Sequence, residues 1–310
     1  MIYKEGEGLR RPPREGGEGR RDNPDWLLAM PSIFPPSFDA SVLESSRWPL
    51  ILIGVVVLLR VLLPRSSVRT IELWREVVIV VSAYFCYFLV RGFVAGHEFE
   101  AFNRAADLIS LERAMGIFWE VDLQGHVQDI GLLENLANWV YVWGHWPVII
   151  PVSVWLFLRH RDDYYIYRNA FLISGAVGLV IFSTLPVAPP RFMPAWGFVD
   201  TAQAYHSGPS AALLVNEYAA MPSLHFGWNL LVGTALFRHG EWLALRAVGA
   251  VLPPAMFLSI VLTGNHYFLD GIAGGAVCLL ALVAAIKLRD HLQDRRSRPD
   301  MPRASGLTPA

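Results

Sequence analysis

The chain has 310 residues, with 26 Lys and Arg against 27 Asp and Glu, for a net charge of −1. Only 17% of residues are charged and 54% are hydrophobic, where a soluble domain carries about 25% charged residues. The neutral balance excludes bulk electrostatic attraction to nucleic acid, and Cys86 and Cys278, both inside apolar runs, fit neither a disulfide framework nor a metal-ligand spacing.

Residues 1–47 are polar, charge-mixed and rich in Gly and Pro, with no cleavable signal pattern, and read as a disordered tail. A short apolar run from Trp48 to Pro64, interrupted by Arg60, is either an extra membrane helix or an interfacial one, and a basic loop carries on to residue 75. Six apolar runs then approach the roughly twenty residues that a bilayer core of about 30 Å requires. They are Glu76 to Ala95, Asn135 to Leu158, Arg168 to Val187, Pro222 to Phe237, Leu245 to Leu262 and Tyr267 to Leu288. The expected fold is therefore all-α: a polytopic membrane helical bundle with a six-span core over residues 76–288.

Two intervening stretches differ from the spans. Gly96 to Glu134 is too charged to cross, but Ala101, Ala105, Leu108, Ile109, Leu111, Met115 and Phe118 approximate a helical stripe. That predicts a surface helix over about 98–120. Its ionisable residues His97, Glu98, Glu100, Asp107, Glu112 and Glu120 read as solvated charge on an amphipathic face. Pro186 to Met221 is a long Pro- and Gly-bearing loop, expected to serve the active site. Residues 289–310 form a basic C-terminal tail. With six spans, the Arg groups at 65–75, 159–168 and 238–246 and the C-terminal tail all fall on one side. That side is expected to be cytoplasmic, so the surface helix and the long loop face outward.

Ionisable residues at membrane depth mark functional candidates. Met221-Pro-Ser-Leu-His225 opens one span and Thr263-Gly-Asn-His266-Tyr-Phe-Leu-Asp270-Gly opens the last. Two spans separate the histidines, so both fall on the same face, where the preceding span also delivers Ala188-Pro-Pro-Arg191. Free N–H groups at two helix starts would favour an anion. His266 and Asp270, four residues apart, would share a helix face, the carboxylate fixing the imidazole tautomer. Read singly, each has a plainer meaning: His225 as an interfacial residue, the His266–Asp270 pair as a structural hydrogen bond or half a metal site, Arg191 as a snorkelling side chain. His145, about ten residues into its run, is either a satisfied buried histidine or part of the substrate cavity lining.

These segments resemble the signature motifs of the type 2 phosphatidic acid phosphatase superfamily. MPSLH and GNHYFLDGIAG are similar to its second and third motifs, PSGH and SR-x5-H-x3-D, and APPRF resembles the Arg-Pro end of its first, K-x6-RP. The form is nearest the branch holding the fungal inositol phosphorylceramide synthases and their bacterial relatives. The resemblance implies that His266 is a nucleophile oriented by Asp270, that His225 is the general acid, and that Arg191, with Ser223 and Asn265, contacts phosphate. Three features depart from the pattern: Thr184 stands where the first motif has Lys, Ile260 where the third has Arg, and the Arg-Pro order is reversed at Pro190-Arg191. Arg91 is the first candidate to replace the missing cations, and Arg104 and Arg113 follow.

The resemblance implies a lipid phosphate or phospholipid donor, a phosphohistidine intermediate, and no metal or cofactor. An inositol or sugar hydroxyl would be the acceptor, or water if the enzyme is a phosphatase. The alternatives of another class are a transporter or a scaffold. An integral protein of the plasma membrane with an extracytoplasmic site is the expected setting.

Overall fold

The computed structural model describes residues 68–94, 98–201 and 218–297; the N-terminal tail, the Trp48 to Pro64 run, His97 and residues 298–310 lie outside the described residues, while 289–297, expected as the start of the C-terminal tail, continue the last helix. Among the described residues the protein is all-helical, with nine α-helices and no strand. In chain order these are α1 (Val68–Val94), α2 (Glu98–Met115), α3 (Glu120–Gln128), α4 (Gly131–Trp143), α5 (Trp146–Arg159) and α6 (Arg161–Thr184). After the long loop come α7 (Leu224–His239), α8 (Leu243–Leu262) and α9 (Phe268–Ser297).

Helix covers most of each of the six apolar runs, but Asn135 to Leu158 is broken at Gly144 and His145, and fewer than six helices meet the length and composition of a span among the described residues. By length and composition, α6, α8 and the Phe268–Arg295 part of α9 can each cross a membrane. The pair α4 and α5, bent by 43°, makes a fourth span if read as one. α7 has 16 residues, about 24 Å at 1.5 Å per residue, which is short of the hydrocarbon thickness. The protein is thus an α-helical integral membrane bundle.

The centre of the bundle is α7, which packs against α8 and α9, while α9 also packs along α6. Two glycines allow the α7–α9 approach. A Cβ on Gly274 would lie 2.0 Å from the Ser223 carbonyl oxygen, and one on Gly227 would lie 2.6 Å from the Gly274 oxygen. Larger residues at either site would separate α7, which carries His225, from α9, which His266 closely precedes. α7 starts on a Ser223 cap, whose Oγ accepts the Phe226 N–H, and stops at Gly240.

The surface segment folds as two helices, α2 and α3. Its buried face is Ala101, Phe102, Ala105, Leu108, Ile109 and Glu112, whereas Leu111 and Met115 are exposed. The stripe is thus rotated from the one expected, and a carboxylate completes it.

The loop from Pro186 is pinned at its base. Val187 pairs with the 218–220 segment in an isolated parallel bridge, and the Ala188 N–H donates to Ala101 O at 3.1 Å. Two 3₁₀ turns, Pro190–Phe192 and Pro194–Trp196, follow.

Candidate active site

The two histidine motifs are hydrogen-bonded into one unit. The Ser223 N–H donates to the Asp270 carbonyl at 2.9 Å, and His266 Nδ1 lies 2.7 Å from Ala220 O. A carbonyl can only accept, so Nδ1 carries the proton and a neutral ring keeps its Nε2 lone pair. His266 precedes α9, and its own N–H donates to Ile260 O at 3.0 Å. The Asp270 carboxylate is fully buried; its Oδ2 is 3.5 Å from His266 Nδ1 but accepts the Tyr267 N–H at 2.9 Å. The nearer partner of the imidazole is therefore the Ala220 carbonyl, and Asp270 also caps the start of its own helix.

The N-terminus of α9 is occupied. Glu120 Oε1 accepts the Phe268 N–H at 3.0 Å and Glu112 Oε1 accepts the Leu269 N–H at 2.9 Å. Both carboxyls are fully buried, which corrects their reading as solvated charge. Sequence spacing gave a partial signal: position 112 continues the buried 101, 105, 108 face of α2. With Asp270 on Tyr267, three successive N–H groups are taken by carboxyls, and at α7 the Ser223 cap takes another. The expectation that free N-terminal N–H groups would meet the phosphate is thus corrected at the start of α9, whereas at α7 the Ser223 side chain takes only the Phe226 N–H. Burial and a hydrogen bond from Glu120 push the Glu112 carboxyl up to about 9. The Oε2 atoms of Glu112 and Glu120 have no other hydrogen-bond partner, so a proton held between the two carboxyls satisfies both.

His225, the second residue of α7, lies between two rings. Tyr141 stacks on it with centroids 4.8 Å apart, and the His145 ring is 4.2 Å away. The His266 ring is at 5.8 Å, a spacing that one phosphate can bridge. His145 sits at the break between α4 and α5 rather than within a continuous span. It is buried, with Nδ1 3.2 Å from Asn229 Nδ2, and Asn229 in turn donates to His225 O at 2.8 Å. His145 therefore supports His225 from behind.

Arg191 donates to the side-chain oxygen of Asn265, the residue before His266. Its backbone N–H donates to Gly264 O at 2.7 Å. Gly264 has φ +67°, and a Cβ there would lie 2.8 Å from Val199 O, so the close turn requires glycine. Asn265 is itself held by Thr263 Oγ1 at 2.8 Å. Arg191, Asn265, His266 and His225 thus come together as expected, whereas the Ser223 hydroxyl is buried and accepts the cap hydrogen bond.

The other basic candidates divide. Arg104 reaches Pro186 O at 3.3 Å, at the base of the loop. Arg113 lies 4.7 Å from the centroids of Phe118 and Trp196. Arg168 is remote and pairs with buried Glu76 at 2.8 Å. Arg91 falls in the last turn of α1, and its side chain lies outside the described residues. Ile260 is fully buried in the cluster with Met256 and Val261, so an apolar contact fills the place of the motif arginine. Thr184 donates back to Val180 O at 2.8 Å.

A family model described as the PAP2 superfamily matches residues 106–284. That span runs from α2 to α9 and contains both histidine motifs. The chain belongs to the PAP2 superfamily, the type 2 phosphatidic acid phosphatases, and is a phosphatase- or phosphotransferase-type lipid phosphoesterase. No curated protein and no solved structure matches it.

Proposed function

We propose that the protein cleaves a lipid-linked phosphate ester through a phosphohistidine on His266 and passes the phosphoryl-bearing group to a polyol or sugar hydroxyl. The observation that carries this reading is the hydrogen bond from His266 Nδ1 to Ala220 O, which leaves Nε2 as the nucleophile beside His225. His266 Nε2 attacks phosphorus and the P–O bond to the leaving group breaks. His225 gives that oxygen its proton, then removes one from the acceptor hydroxyl as the P–N bond breaks. Asp270 and the Ala220 carbonyl stabilise the positive charge that develops on the His266 ring. Arg191, fixed by Asn265, neutralises the equatorial oxygens.

A lipid donor is supported by an open apolar groove of about 550 Å³ between α7 and α8, lined by Phe226, Leu230, Pro253, Pro254, Phe257 and Leu258. Phe226 adjoins His225, so an acyl or prenyl chain in the groove would place its head group near the histidines. Transfer rather than hydrolysis rests on the PSLH and HYFLD forms of the motifs and on the reduced cation set around the phosphate. No metal enters these steps. The site faces the extracytoplasmic side in this reading, as the distribution of basic residues implies.

Full-length protein in lipid, given phospholipid and polyprenyl phosphate donors with and without inositol, tests the proposal. Head-group transfer is expected, with free phosphate the sign of a phosphatase instead. His266→Ala should abolish either activity and the acid-labile phosphoenzyme; normal turnover in that variant refutes the nucleophile. Labelling of a cysteine placed in the Pro186–Met221 loop by an impermeant reagent on intact cells tests the outward face.

A further inference from the structure

At the far end of α7 from His225 lies a second polar cluster that the chemistry above does not use. His239 closes α7, His160 joins α5 to α6, and Asp163 lies in the first turn of α6. One ligand atom from each lies within 4.8 Å of the others, the only such group of three or more His, Cys, Asp or Glu among the described residues. His239 follows His225 by fourteen residues, about 21 Å of helix at 1.5 Å per residue, so the cluster is separate from the active site.

We propose that His160, Asp163 and His239 form a binding site for a divalent transition-metal ion, with Zn²⁺ the best fit. Two imidazoles and a carboxylate are the donors that favour zinc over magnesium or calcium, and three protein ligands leave a position for water. The geometry agrees. His239 Nδ1 lies 3.5 Å from Asp163 Oδ2, long for a hydrogen bond. It is close to the roughly 3.3 Å between two donors that share a tetrahedral ion with bonds of about 2.05 Å. Bringing every pair from within 4.8 Å to that separation takes shifts of about 1.5 Å or less, within the reach of ring rotation. His160 Nε2 is buried and makes no hydrogen bond, a donor with nothing else to satisfy it.

The surroundings suit a cation. α5 and α7 end at the cluster, where C-terminal carbonyls favour positive charge, against the opposite pole of α6, whose first turn holds Asp163. The neighbouring Arg161 is already paired with Glu72, and Arg238 is exposed to solvent. Trp155 packs 4.9 Å from His160 and Tyr167 lies 6.1 Å from His239, an aromatic wall behind the two rings. The Asp163 carboxylate, 37% exposed, leaves the front open for entry. A bound ion would fasten the end of α7 to the α5–α6 junction and so hold the helix that presents His225.

The test uses the full chain in detergent, stripped with a chelator and titrated with Co²⁺ and then Zn²⁺. One ion per chain is expected, with the visible absorption of a low-symmetry Co²⁺ site that Zn²⁺ displaces, and a thermal transition raised by Zn²⁺. His160→Asn and His239→Asn should each weaken binding at least about tenfold, the smallest loss that even outer-shell changes cause at metal sites. His266→Ala should leave the stoichiometry unchanged. If His239→Asn does not fold, His160→Asn and Asp163→Asn give the same reading from the other helix. No Co²⁺ binding by the wild type, or binding retained in the His160→Asn/His239→Asn double variant, overturns the proposal.

Discussion

Glu112 offers the sharpest test of how the catalytic helix is held. Its carboxyl accepts the Leu269 N–H at 2.9 Å from a fully buried position, so Glu112→Ala strands a buried donor and opens a void. Such a loss costs about 1–3 kcal/mol. Glu112→Gln differs: its amide oxygen can accept the same N–H, and its NH₂ can donate to Glu120 where the shared proton now sits. Its cost should be under about 1 kcal/mol near neutral pH, the scale of one ordinary hydrogen bond. The charge also sets a sign. The folded protein holds this proton up to about pH 9, whereas the ordinary value is 4.5. The contribution of Glu112 to stability is therefore fully present below pH 4.5 and lost as the pH climbs to about 9. One proton gives at most about 1.4 kcal/mol per pH unit over that window. Thermal unfolding in detergent across the window, followed by far-UV circular dichroism, should show the wild type losing stability relative to Glu112→Gln as pH rises. Identical pH profiles for the two, or a Gln variant as damaged as the Ala variant, would refute the protonated carboxyl.

Three further outcomes follow from the packing. Gly274→Ala would put a methyl 2.0 Å from Ser223 O; a loss of about 1–3 kcal/mol or more and of nearly all turnover is expected, and a normal Tm with normal activity would contradict the close α7–α9 contact. Asn265→Ala releases Arg191 and loses the bond to Thr263 and should lower both Tm and kcat/KM, the latter about tenfold to a hundredfold if the bond's ~1.5–3 kcal/mol is felt in the transition state; unchanged kinetics in the folded, purified variant would contradict the role. Arg168→Ala leaves the buried Glu76 carboxylate with only Arg75 at 3.3 Å and the Tyr164 hydroxyl at 3.2 Å and should cost about 1–3 kcal/mol, with activity at low temperature preserved, as unfolding curves and a cold assay would show.

Much of the site was legible in the sequence because its chemistry is local. MPSLH and GNHYFLDG each place a histidine at a helix start, and the two spans between them bring the starts to one face. What supports the histidines was hidden by distance. Glu112 and Glu120 bond residues 157 and 148 positions away, and nothing within the segment 98–120 distinguishes a buried acid from a solvated one except its register on the helix. His145 stands at a helix break that an unbroken hydropathy run does not reveal. The spacing of His266 and Asp270 suggested a shared helix face, but α9 begins only at Phe268. The dominant partner of the imidazole is accordingly a carbonyl 46 residues upstream. Ile260 reads as a missing arginine in the motif, and its full burial explains why an apolar side chain is required there.

The bridge at the base of the long loop ties its two ends together independently of the sequence between them. Val187 donates to Tyr218 O at 2.9 Å and accepts from the Ala220 N–H at 3.2 Å, so the two ends of the loop meet beside the carbonyl that orients His266. Sequence between Thr201 and Tyr218 can then lengthen, shorten or be exchanged with little disturbance to the nucleophile. Variants with a longer or shorter stretch there should therefore keep the Ala220 carbonyl in register with His266, and retained turnover in such variants would check it.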